Sequence, residues 1–229
     1  MPAHSERHRL TLAQLTLTFV PFGLLLAAAL LAPEVLVPGG VSPLPWLEDL
    51  VGLNEPQLRP VPAGTSLLAL NRAILTIWLT TALLIPAACL YVLPPEPARR
   101  TYALLFWTFS YLAYLAHFYY AAFVIFGGVA GTFEHMRHPI AAMNFLLTAW
   151  WTMDVLLAWV ASPDRPWVRL ERTAALVFIL LVFVITELFL RPTVVRYLGI
   201  ALVVSVLLCL LVRLAWGGEA ARPAEQRLV

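Results

Sequence analysis

The sequence predicts an all-α polytopic membrane protein with six transmembrane helices and both termini on the cytoplasmic side. Three observations carry this. Of 229 residues, 61% are hydrophobic and only 12% charged, with a mean hydropathy of +0.83; a soluble domain carries about 25% charge. Six apolar segments approach or reach the roughly 20 residues that a helix needs to cross the hydrocarbon of a bilayer. Arginine is distributed unevenly between the connections.

The segments fall at about 11–32, 67–93, 102–126, 140–160, 173–190 and 194–216. The first has no clear small-residue cleavage site and reads as a retained span. Pro94 and Pro95 end the second, because proline cannot donate the amide hydrogen that continues a helix. Gly127, Gly128 and Gly131 are expected to end the third. The fifth is the shortest, with an alternative start near Leu170, and Arg191-Pro192-Thr193 folds it back onto the sixth as a tight hairpin. With the N-terminus inside, ten arginines fall on the cytoplasmic side (7, 9, 99, 100, 165, 169, 172, 213, 222 and 227) and five on the outer side (59, 72, 137, 191 and 196). The whole chain, 1–229, is one membrane domain, assigned to a cell membrane of the bacterial inner-membrane kind. Residues 217–229 form a polar cytoplasmic tail expected to be disordered.

Residues 33–66 form a long outer loop or lid with seven prolines. Within it, Trp46, Leu47, Leu50 and Leu53 share one side of a short interfacial helix, with Glu48 and Asp49 off that side.

Composition excludes several functions. A net charge of +2 is too small and scattered for a nucleic-acid surface. All 15 basic residues are arginine, so a lysine Schiff base is excluded. Cys89 and Cys209 are far apart in sequence and read as small apolar residues.

Polar residues inside the spans are the candidates for function, because burying charge in lipid costs at least about 2.5–3.5 kcal/mol. Asp154 lies about 9 Å inside the fourth span at 1.5 Å per residue and must face the interior, water or another subunit. Trp107, Tyr111, Tyr114 and His117 form one stripe on the third span, with Tyr119 and Tyr120 beyond it. The stripe suits either a quinone, tetrapyrrole or lipid cavity or helix packing. A bis-histidine haem within this chain is disfavoured, since no second imidazole lies at the depth of His117. Glu187 stands four residues before Arg191, in the favourable order for an ion pair. Arg72, Thr76 and Thr80 recur on the second span beside Asn71, and Asn144 and Thr148 on the fourth. Together these point to a polar centre opening outward.

Between the third and fourth spans stand Glu134, His135, Arg137 and His138. On one helical turn the two imidazoles would face the same way with Glu134 beside His138, a partial ligand set for a borderline metal ion such as zinc, copper or iron. Glu187, or acids of the 33–66 loop, would have to complete it. Arg137 and Arg72 would instead bind phosphate or carboxylate. Arg137-His138-Pro139 resembles the arginine–histidine–proline tripeptide of the isoprenylcysteine carboxyl methyltransferases, membrane enzymes that bind S-adenosylmethionine. Glu187 follows His138 by 49 residues, but inside an apolar span and without the family's aromatic and glycine pattern.

Three functions are therefore expected, in this order. The first is an accessory or structural subunit of a multisubunit membrane complex, of electron transfer or membrane oxidation. The second is an enzyme acting on an apolar lipid or isoprenoid, with His135, His138 and Glu134 or Glu187 as acid and base. The third is a small transporter gated by Asp154 and Glu187. The corresponding partners are the bilayer, other membrane subunits or an apolar ligand, and no nucleic acid.

Overall fold

The computed structural model describes residues 12–36, 62, 64–94, 96–162, 165–189 and 194–221. Every regular element among them is helical: α1 (Leu12–Leu36), α2 (Leu67–Val92), α3 (Pro97–Phe118), α4 (Val129–His135), α5 (His138–Val160), α6 (Pro166–Phe189) and α7 (Val194–Ala221). A π-helical segment, Tyr119–Ile125, prolongs α3. Among the described residues, six helices are long and apolar enough to cross a membrane: α1, α2, α3 with its π-helical extension, α5, α6 and α7. The chain is a multipass membrane protein.

The packing order runs α2–α3–α5–α6–α7 and back to α2, with α1 laid outside against α2 and α3. The ring encloses an aromatic core of Trp107, Tyr111, Tyr114, Trp151 and Phe183, filled in by Leu84, Leu176, Ile179 and Leu202. Trp151 is fully buried, and Tyr114 stacks on it at 5.3 Å between ring centroids. A smaller cluster fixes α1, where the Phe22 ring stacks on Phe109 at 4.5 Å. Lipid does not drive apolar helices together, so such close packing and interhelical hydrogen bonds are what hold the bundle. Two ends are distinguished below by their arginines. Val92, Pro97, Val160 and Pro166 mark the Arg172 end; Leu67, the π-helical segment and His138 mark the Arg72 end.

Several boundaries differ from the sequence reading. α1 continues through Pro33 to Leu36, so Glu34 belongs to a helix and not to the outer loop. A proline is tolerated there because neighbouring helices can satisfy the freed backbone groups. Pro33 removes the bond to the Ala29 carbonyl, and the next carbonyl, that of Leu30, accepts from Arg72 Nε at 2.9 Å. α6 starts at Pro166, which brings Glu171 and Arg172 inside a span. α7 continues past Trp216 to Ala221. The third span ends at Gly127 and Gly128, both with left-handed backbone (φ 73° and 108°). Gly131 does not end that span; it lies inside α4, where any side chain would collide with the Phe126 carbonyl. The interfacial helix expected at 44–53, the Arg191-Pro192-Thr193 turn and the tail from 222 lie outside the described residues.

Candidate functional site

The buried polar centre of the bundle is built around Asp154. Asp154 sits six residues before the end of α5 and Arg172 six residues after the start of α6. Equal distances from a helical hairpin put the two at one depth. Asp154 is 1% exposed, its Oδ2 accepts from Trp107 Nε1 at 2.5 Å, and its Oδ1 lies 3.6 Å from Arg172 Nε. That last separation exceeds a direct hydrogen bond. A cavity of ≈ 10 Å³ lies between Tyr91, Trp107, Asp154 and Arg172, beside Ala87 and Leu176. This is room for about one water molecule, the bridge expected between polar groups that stand too far apart.

The surrounding groups extend the centre. Arg172 lies over the Tyr91 ring at 6.0 Å, and the Tyr91 hydroxyl is 3.1 Å from that of Thr173. Trp150 Nε1 donates to Glu171 Oε1 at 3.1 Å. Thus α2, α3, α5 and α6 are tied at the Arg172 end by one ionic and indole-bonded cluster. Sequence reading missed Arg172 and Glu171 as partners, counting Arg172 only as a topological charge. The available signal was Pro166, which suits the first turn of a helix and places Arg172 inside α6.

The stripe on α3 faces inward as packing. Tyr111 Oη lies 2.7 Å from Thr152 Oγ1, and Tyr114 Oη 3.0 Å from Thr148 Oγ1, so both hydroxyls bind α5. His117 turns instead to α2, with Nδ1 2.7 Å from the Ala73 carbonyl. On α2, Thr76 and Thr80 bond the carbonyls of Arg72 and Thr76, four residues back. They are not free donors to a ligand. Ser110 on α3 reaches across to the Thr80 carbonyl at 2.8 Å.

The groups expected to form one outward-facing centre are separated. Arg72 is bonded to Glu34 and the Leu30 carbonyl and lies over the Tyr120 ring at 5.7 Å. Glu187 is buried and hydrogen-bonded to Thr81. Thr81 is fourteen residues beyond Leu67, about 21 Å along α2 at 1.5 Å per residue. The end of α6 therefore lies beside the middle of α2, well short of Arg72. Arg191, the other expected partner of Glu187, lies outside the described residues. Asn71 is 3% exposed, and its amide nitrogen and oxygen have no hydrogen-bond partner among the described residues.

The helical turn expected to align His135 with His138 is broken. α4 ends at His135, Met136 is extended, Arg137 is also non-helical, and His138 opens α5. Pro139 is the physical reason: its ring would meet the His135 carbonyl if one helix ran through both. His135 Nδ1 lies 2.9 Å from its own Gly131 carbonyl, and His138 packs on Phe133 at 5.9 Å. Glu134 and Arg137 are exposed. Among the described residues, no three His, Cys, Asp or Glu side chains are grouped to hold a metal ion.

Comparison of the chain with protein-family models, with curated proteins and with solved structures returns no match.

Proposed function

We propose that the chain is an accessory or structural subunit of a multisubunit membrane complex, a helix bundle whose polar interior holds it rigid. The observation that carries this reading is the use made of the intramembrane polar groups. Asp154, Tyr111 and Tyr114 each bond a side chain of another helix. The cavity beside Asp154 has room for about one water and none for an organic substrate. Glu187 bonds Thr81 and does not join His135 and His138, so the acid–base set of the enzyme reading is dispersed. α1 lies outside the ring and turns Leu17, Val20, Leu24 and Leu31 outward. That face suits lipid or the apolar helix of a partner subunit.

The finer placement belongs to the same proposal: a bacterial inner membrane, both termini cytoplasmic, and a complex of electron transfer or membrane oxidation. Gentle solubilisation followed by native mass spectrometry tests it. The expected result is a stoichiometric assembly with at least one other membrane polypeptide. A monomer that turns over an apolar lipid without any partner would overturn it.

A further inference from the structure

Among the described residues, two carboxyl groups are buried inside the spans, and their surroundings are opposite. Asp154 faces an indole N–H and a guanidinium, both of which favour an anion. Glu187 is 2% exposed, and its Oε1 meets only the Thr81 hydroxyl. Its Oε2 has no hydrogen-bond partner among the described residues. The elements packed around it bring no described cation to balance a charge. α2 presents Thr81; Arg72, nine residues earlier, is bonded to Glu34. α7 presents the backbone of Gly199, and a methyl group there would stand 2.9 Å from Glu187 Cβ and 3.3 Å from Oε2. Arg196, three residues before Gly199, is exposed and in no ion pair among the described residues.

The proton inventory points the same way. A threonine hydroxyl has one proton to donate and lone pairs to accept with. Thr81 Oγ1 is 3.1 Å from the Ile77 carbonyl, which can only accept, and also within reach of Glu187 Oε1. Thr76 and Thr80 on the same helix both donate to the carbonyl four residues back. Thr81 instead donates to Glu187 Oε1, the nearer of its two acceptors, which leaves Oε2 buried with no donor among the described residues. A carboxylic acid fits this place, and an unbalanced carboxylate in a lipid-surrounded seam does not.

We propose that Glu187 is a proton-binding site, a carboxylic acid hydrogen-bonded to Thr81 at the seam of α2, α6 and α7. The ligand is the proton itself. Release breaks the carboxyl O–H bond, leaves the electron pair on the carboxylate and passes the proton to water. The assignment is independent of the subunit reading, since a bundle with or without partners would hold the same group.

Infrared spectroscopy of the full chain in lipid bilayers tests it at neutral pH. The wild type and Asp154→Asn are expected to show the carbonyl stretch of a protonated carboxyl group, sensitive to exchange into D2O. Glu187→Gln should lose it, and Thr81→Val should shift it to higher frequency by removing the hydrogen bond. Should Glu187→Gln fail to fold, a hydrophobic carbodiimide on the wild type replaces it, with the adduct mapped by peptide mass spectrometry to Glu187. Absence of the band in the wild type, its survival in folded Glu187→Gln, or an adduct confined to other carboxyl groups would overturn the assignment. An ionised Glu187 held by a basic residue outside the described set gives neither band nor adduct and overturns it equally.

Discussion

The indole nitrogen of Trp107 and the carboxylate of Asp154 lie 2.5 Å apart across the α3–α5 interface. The bond places Asp154 where it can also feel Arg172, at 3.6 Å on the neighbouring helix. Removing one member of a buried charge pair leaves the other uncompensated, at about 3–5 kcal/mol. Arg172 keeps 17% of its side chain exposed, which lowers the cost. Asp154→Ala is therefore expected to lose about 3 kcal/mol, read as chemical unfolding in detergent. Asp154→Leu combined with Arg172→Leu should be less destabilised than the sum of the two single changes. Strict additivity would mean that the two charges do not interact.

Gly199 lets α6 and α7 approach more closely than a methyl group there would allow. Gly199→Ala is expected to cost about 1–3 kcal/mol by overpacking against Glu187. Gly23, also in a helix, has nothing within 4 Å of a built methyl group. Gly23→Ala should therefore be neutral or stabilising by about 0.5–1 kcal/mol. Thermal unfolding of the two variants side by side decides the matter, and equal shifts would refute the close approach.

Arg72 fastens α1 to α2 through two different acceptors, the Leu30 carbonyl and Glu34. Lysine has one point charge in place of the planar fork. Arg72→Lys is expected to lose about 1 kcal/mol of stability and Glu34→Gln less, because Glu34 is half exposed. Loss of the α1 contact should also raise proteolytic cutting near the N-terminus. A wild-type stability for Arg72→Lys would show the second bond to be dispensable.

The ten-to-five arginine split predicts an orientation that reporter fusions can check. Fusions after Arg100 and after Glu219 should report cytoplasm, and one at Pro56 the outside. The reverse pattern would put the Arg72 end inside.

The sequence alone determined the class and the span count, because apolar runs near 20 residues have no other stable solution in lipid. It also determined that Asp154 turns away from lipid, since a charge against acyl chains is too costly; the structure places it inside the bundle. Pairing was decided only by tertiary structure. Arg172 and Asp154 meet because α5 and α6 pack as a hairpin, and a count of loop arginines carries no such register. Glu187 looked like a residue near the membrane edge, level with Arg72, because depth was counted from the end of its own helix. The end of α6 instead lies beside the middle of α2, and that offset depends on how helices pack. His135 and His138 were separated by a local feature, Pro139, which was legible in the sequence. The π-helical segment after Phe118 left no comparable trace. Periodicity reports which residues share a helix face, whereas the partner opposite that face is set by packing between helices distant in sequence.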